Sequence, residues 1–247
     1  MADNVNTVFA LDISNYQGIP TKATIEHWLE WGVRHVIVRG SLERQELINI
    51  AKAQLRVLNE HKIPVSIYGW FYLSVYPGWS ADRLVHTYEE FGPVSYWLDV
   101  EETEDYGNPS QNESWVAQWG TAMDRHGVKY GIYTGGWYWR PYLGNTTAFQ
   151  DWPLWDANYG VSPSLGDPGY GGWRARTGHQ YSAHSIDQNL FDAQFLEVED
   201  MARINDLENL LGYLKGDVAD ALEQAIEDKK WAEVKNVLNT LRHAGEV

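Results

Sequence analysis

Short runs of β-forming residues begin at positions 8 (V-F-A-L-D-I), 35 (H-V-I-V), 64, 93 and 129 (K-Y-G-I-Y-T). Between them lie stretches with helical periodicity: 25–31 (I-E-H-W-L-E-W), 46–61, 81–91 and 115–126. In 46–61 the apolar stripe is Leu47, Ile50, Ala51, Leu55 and Leu58. One strand, one helix and a return strand need roughly 30 residues, and this chain repeats that spacing. Parallel neighbours require such a crossover, so the rhythm confines the chain to a parallel sheet or barrel. Beyond Trp137 the rhythm changes. Residues 154–157, 179–182 and 185–189 read as strands joined by Gly/Pro-rich links. The expectation is an α/β fold: an irregular (β/α) TIM-like barrel with a regular first half and a truncated second half.

In such barrels the chemistry sits at the C-terminal ends of the strands. The stretch 93–102 reads P-V-S-Y-W-L-D-V-E-E. Alternation puts Val94, Tyr96, Leu98 and Val100 on one face and Ser95, Trp97, Asp99 and Glu101 on the other. Two carboxylates on one face push one proton affinity up. One group can then hold a proton near neutrality while its neighbour stays ionised. Taken alone, D-x-E also describes a strand running into an acidic loop, since Glu102, Glu104 and Asp105 follow. The shared position of Asp12, Asp99 and Glu101 at strand ends favours the site.

Composition narrows the partners. The formal net charge of −15 leaves no basic stripe for nucleic acid. The chain has no cysteine, which removes thiolate nucleophiles and Cys-based zinc sites. No apolar run reaches the length of a membrane span, so membrane insertion is not expected. The first residues, M-A-D-N-V-N-T-V, lack a basic region and an apolar region, so the expectation is synthesis without a signal peptide. Tryptophan (13) and tyrosine (15) far exceed phenylalanine (6). This suggests an amphipathic, partly wet cleft of the kind that stacks sugar rings, alongside a Trp-rich core.

Other motifs carry less. His179, His184 and Asp187 lie close in sequence but not at the spacing of a zinc-binding helix, so no metal is expected. The G-Y-G-G-W run at 169–173 does not join a strand to a helix, which argues against a phosphate cradle. From about residue 199 glycine and aromatics thin out. Leu207, Leu210, Leu211 and Leu214, then Val218, Leu222 and Ile226, then Trp231, Val234, Val237, Leu238 and Leu241 fall at helical spacing. The division is therefore a barrel over 1–198 and a small helical appendage over 199–247. The appendage buries little alone, so it packs on the barrel, on a partner, or on a second copy as a homo-oligomer through 203–243.

An ordered set of motifs resembles glycoside hydrolase family 25, the lysozymes common among phage endolysins. The set is D-I-S-N-Y-Q-G (12–18), V-I-V-R-G-S (36–41), Y-G-W-F-Y (68–72), L-D-V-E (98–101), G-I-Y-T (131–134), P-L-W-D-A-N-Y-G (153–160), H-Q-Y-S (179–182) and I-D-Q-N-L-F (186–191). The resemblance covers roughly residues 8–192. It implies a flattened β/α barrel without its last helices and cleavage of the β-1,4 bond between N-acetylmuramic acid and N-acetylglucosamine in bacterial peptidoglycan, without a cofactor. It implies Glu101 as proton donor, Asp99 assisting across the anomeric carbon, and Asp12 and Asp187 lining the same cleft. Tyr16, Tyr68, Tyr133, Trp155 and Gln180 fall at groove positions. It further implies an enzyme made in a host cytoplasm that reaches the wall after release. Two stretches depart from the family pattern. The usual basic-small-Ser/Thr-Glu-Gly run reads R-G-S-L-E-R at 39–44, and His179 stands where a Trp is common before the Gln.

Residues i and i+2 of a strand lie roughly 6–7 Å apart, between the carboxylate spacings of retaining and inverting glycosidases, so both routes stay open. A third route uses the N-acetyl oxygen of the substrate as nucleophile, with Asp99 orienting it. The rival class is a non-catalytic module on the same barrel, binding peptidoglycan or serving as a virion part.

Overall fold

A computed structural model describes residues 6–70, 76–104, 106–183 and 186–196. The division at 198/199, the appendage and the 203–243 self-association surface fall on residues 197–247, outside the described ones, as do His184 and Asp105.

Eight strands close into one barrel in sequence order: β1 (Thr7–Ile13), β2 (His35–Arg39), β3 (Val65–Trp70), β4 (Tyr96–Asp99), β5 (Tyr130–Thr134), β6 (Leu154–Ala157), β7 (Gly178–Ala183) and β8 (Asp187–Asp192). β1 to β7 run parallel. β8 runs antiparallel to both β7 and β1 and closes the ring. The helices are α1 (Lys22–Trp31), α2 (Gln45–Glu60), α3 (Pro77–Tyr88), α4 (Pro109–His126), the short α5 (Gly136–Tyr142) and a final turn α6 (Ala193–Leu196). The connection from β6 to β7 has no helix.

Alternation along each strand sorts side chains into two interiors. Leu11, Ile13, Val36, Val38, Ile67, Tyr96, Leu98, Val100 and Ile132 face outward into the layer beneath the helices. This is the face expected for Tyr96, Leu98 and Val100. Trp97, Trp155 and Phe191 fill the lumen, with Trp97–Trp155 centroids 5.8 Å apart and Trp97–Phe191 5.6 Å apart. Two glycines make room for these rings. A Cβ at Gly131 would lie 2.5 Å from the Trp97 ring, and one at Gly178 2.3 Å from Phe191.

The helices differ from expectation in detail. α3 and α4 begin earlier than 81 and 115, because Pro77 and Pro109 occupy their first turns. Asn108 caps α4 by accepting from the Gln111 amide, a contact worth about 1 kcal/mol. α2 buries Ile48, Ala51, Gln54, Leu55 and Leu58, so its stripe is turned slightly and Leu47 and Ile50 are half-buried. The polar Gln54 is inside because its amide donates to the Ser14 and Gly18 carbonyls, both 2.7 Å, and pins the β1–α1 loop. α5 was not anticipated. It contains Pro141 and starts at glycine, and the burial of Tyr138 and Trp139 accompanies it.

Candidate active site

The C-terminal mouth of the barrel collects a side chain from every strand. Asp12 (β1) and Asp187 (β8) are register partners, and their carboxyls meet. Asp12 Oδ2 accepts from Gln180 Nε2 and from Asn189 Nδ2, both 2.8 Å. Gln180 Oε1 accepts from the hydroxyls of Tyr133 (2.7 Å) and Tyr159. Asn189 Oδ1 accepts from Trp155 Nε1 at 2.8 Å. A continuous network thus runs from the lumen indole through the Asn189 amide to the Asp12 carboxyl, and from there through the Gln180 amide to the two tyrosine hydroxyls. Tyr68 packs edge-on against Trp155 at 6.0 Å, and Asp12, Asp99, Asp187 and Arg39 all act on its hydroxyl.

Asp99 ends β4 and is buried, with Oδ1 lacking a hydrogen-bond partner among the described residues. Glu101 lies just past the strand and is half-buried. Its backbone is held on both sides. The Val100 N–H donates to Tyr133 O (2.8 Å), Thr134 Oγ1 to Val100 O (2.8 Å) and Tyr138 OH to Glu102 O (2.7 Å).

The electrostatics are lopsided. Burial lifts the Asp12 carboxyl from 3.8 to about 7, aided by the charge of Asp187 and opposed by the two amide donors. Burial, then Glu101, raises Asp99 well above the carboxylate range. Burial, then Glu102 and Asp187, raises Glu101, and burial raises Asp187. One cation answers this cluster among the described residues. Arg39, at the end of β2, lowers the proton affinity of Asp99. It ion-pairs with Glu43 at 2.8 Å and lies 5.0 Å from the Trp70 ring centroid. Glu43, in the altered 39–44 stretch, thus folds back onto the arginine. Asp12, lifted to about 7, can hold a proton near neutrality while a neighbouring carboxyl carries charge.

The four carboxylates read from sequence come together here, with Tyr68, Tyr133, Trp155 and Gln180. Tyr16 stands apart: it is 84% exposed on the turn after β1, at the rim. Sequence reading missed Tyr159, Asn189 and Arg39 as members of the network. His179 is not poised for a metal. Its Nδ1 accepts from Ser164 N–H (3.0 Å) and its Nε2 bonds Asn158 O (2.9 Å). The G-Y-G-G-W run is a packing device, with Tyr170 OH donating to buried Asp156 at 2.6 Å.

Exposed aromatics gather at the same end. Of the exposed large apolar side chains among the described residues, all but Trp31 follow a strand's C-terminal end. Tyr16 and Ile19 follow β1, Trp70 ends β3, and Tyr76 and Trp79 open α3. Tyr106 precedes α4, Trp137 opens α5, and Tyr159 and Val161 follow β6.

A family model described as glycosyl hydrolases family 25 matches residues 11–190. The chain belongs to glycosyl hydrolases family 25. This family 25 chain is 31% identical over 87 residues to "Probable GH family 25 lysozyme 4" of Dictyostelium discoideum, which is 35% of this chain and 41% of that protein. It is 32% identical over 89 residues to counting factor 50 of the same organism, 34% of this chain and 29% of that one. The matched region therefore spans less than half the length of these curated relatives. Among solved structures, a family GH25 lysozyme from Aspergillus fumigatus superposes with a TM-score of 0.65 at 19% identity, covering 78% of this chain and 99% of that one. A lysozyme from Streptomyces coelicolor gives 0.62 at 17%, covering 79% and 98%. The catalytic domain of an endolysin from a Listeria monocytogenes bacteriophage gives 0.55 at 22%, covering 78% and 96%. At these identities the likeness is one of fold, and it agrees with the closed barrel. Among the described residues, no helix of this family 25 chain is long and apolar enough to cross a membrane.

Proposed function

We propose that this chain is an N-acetylmuramidase that cuts the β-1,4 bond between N-acetylmuramic acid and N-acetylglucosamine of bacterial peptidoglycan. The observation that carries the reading is the carboxyl layer under an aromatic rim. Asp12 and Asp99 are buried, Glu101 and Asp187 are half open, and burial raises the proton affinity of all four. Glu101 faces the entering chain and donates its proton to the leaving oxygen. Asp99, beside Arg39, supplies negative charge to the oxocarbenium-like centre or orients the substrate N-acetyl group for internal attack. The Asp12–Asp187 pair, held by Gln180 and Asn189, adds charge on the far side. Tyr68, Tyr133 and Trp155 line the floor of the groove, and Tyr16 extends its rim. We place the setting with wall-lytic enzymes of the endolysin type, acting on the wall after release, and the likeness to the Listeria phage domain supports this.

The test is digestion of purified peptidoglycan by the wild type and Glu101→Gln, followed by borohydride reduction and mass spectrometry of the new ends. Reduced muramic acid from the wild type, with a loss of at least roughly a hundredfold in the variant, is expected. Reduced glucosamine ends would keep the site and change the bond. Binding without new ends on several wall types would establish the barrel as a binding module. Turnover near wild type in Glu101→Gln would remove Glu101 from its role.

A further inference from the structure

His179 points away from the lumen, on the strand face opposite Gln180, and is fully buried beneath the helix-free connection from β6 to β7. Its two ring nitrogens hold two points of that connection. The Ser164 N–H can only donate, so Nδ1 carries the lone pair and Nε2 carries the hydrogen that goes to Asn158 O. Between these anchors lies Tyr159, whose hydroxyl donates to Gln180 Oε1. The main chain supports the same path: Asn158 N–H donates to Gln180 O (3.1 Å) and Gly160 N–H to Tyr181 O (3.4 Å).

We propose that His179 is a positioning residue of the glycan groove: its neutral ring latches residues 158–164 so that Tyr159 meets Gln180 and Gln180 meets Asp12. A tryptophan in its place would have one ring donor and no ring acceptor, so it could not make both contacts. The latch is also titratable. A proton on Nδ1 would face the Ser164 N–H, and that anchor would break. The charged groups around the ring are Asp156 from β6, which favours protonation, and Arg176 from the connection, which opposes it; burial opposes it most. These two groups bond each other, Arg176 Nε to Asp156 Oδ2 at 2.6 Å. β8 presents Leu190 opposite His179.

The kinetic half of the test rests on the activity proposed above; the spectroscopic half does not. His179→Phe removes both contacts, and KM for soluble peptidoglycan fragments is expected to rise roughly five- to tenfold at neutral pH, with kcat changed far less. His179→Gln retains an acceptor and a donor but cannot titrate. It is expected to match the wild type at neutral pH and to lack the rise in KM on acidification that the latch predicts for the wild type. A wild-type KM in His179→Phe, or an unchanged acid limb in His179→Gln, would overturn the proposal. Nitrogen-15 NMR of the wild type reads the latch directly: an Nε2–H tautomer, with hydrogen-exchange protection of the Ser164 amide lost as the ring protonates. An Nδ1–H tautomer, or a Ser164 amide indifferent to ring protonation, would overturn it even in a protein inactive on every glycan.

Discussion

The barrel lumen has a polar layer at each end, and the two are built on opposite terms. At the N-terminal end His35 Nε2 meets Ser66 Oγ (2.9 Å), Ser66 Oγ meets Ser95 Oγ (2.8 Å), and Trp97 Nε1 donates to Ser95 Oγ (3.0 Å). Every member is buried and neutral, and burial holds the His35 ring down to about 3. At the C-terminal end four carboxyls crowd together with one arginine; each layer leaves one buried polar atom unpaired among the described residues, Asp99 Oδ1 here and His35 Nδ1 at the other end. The first layer closes a plug. The second leaves charge under-compensated, which costs stability and supplies proton affinity to chemistry. Their pH responses therefore run in opposite directions. The Asp12 contribution to stability is fully present below 3.8 and is lost as the pH rises through about 7. The His35 contribution is fully present above 6.5 and is lost as the pH falls toward 3.

The comparison breaks most visibly at the mouth. Asp99→Asn is expected to cut kcat on the order of 10²–10⁴-fold. The same substitution removes a buried charge, so its melting temperature should exceed the wild type's in the pH range where Asp99 is ionised in the wild type. Asp12→Asn should likewise be the more stable above pH 7. The shift expected from its proton affinity is on the order of 4 kcal/mol, and it should fade toward pH 3.8. Thermal melts across pH decide this. A carboxamide variant that is less stable than wild type at alkaline pH would mean that the layer is a net structural asset. At the floor, His35→Gln should lose about 1–2 kcal/mol at neutral pH through imperfect hydrogen bonding. It should also flatten the acid slope, which in the wild type amounts to on the order of 5 kcal/mol between 6.5 and 3. An unchanged slope would mean that His35 titrates freely. Between the layers, Gly131→Ala forces a methyl against Trp97 and against Pro153 O at 2.6 Å. It should cost about 1–3 kcal/mol by chemical denaturation, with the pH dependence untouched.

The mouth was more legible in the sequence than its supports. A carboxylate at a strand end is visible because the strand itself is visible, and Glu101, although β4 stops at Asp99, still acts on its neighbour two residues back. The antiparallel β8 was not foreseen, although it is what brings Asp187 beside Asp12. The network that holds Asp12 joins residues far apart in the chain, 168 positions for Gln180 and 177 for Asn189, and local pattern carries no trace of that. Arg39 was read as part of a broken motif. Only the fold shows that Glu43 pairs with it and that its charge acts on Asp99. α5 escaped because a seven-residue segment with an internal proline has no period to read.

Trp155 lies one hydrogen bond from Asn189 and two from the carboxyl of Asp12, and 5.8 Å from the Trp97 ring. Two indoles so close and fixed at 72° form a coupled chromophore in a rigid chiral cage. The protonation of Asp12 changes the electric field at one of them. The near-ultraviolet circular dichroism of the unmodified protein therefore carries an optical readout of the state of its own acid cluster, with no label attached.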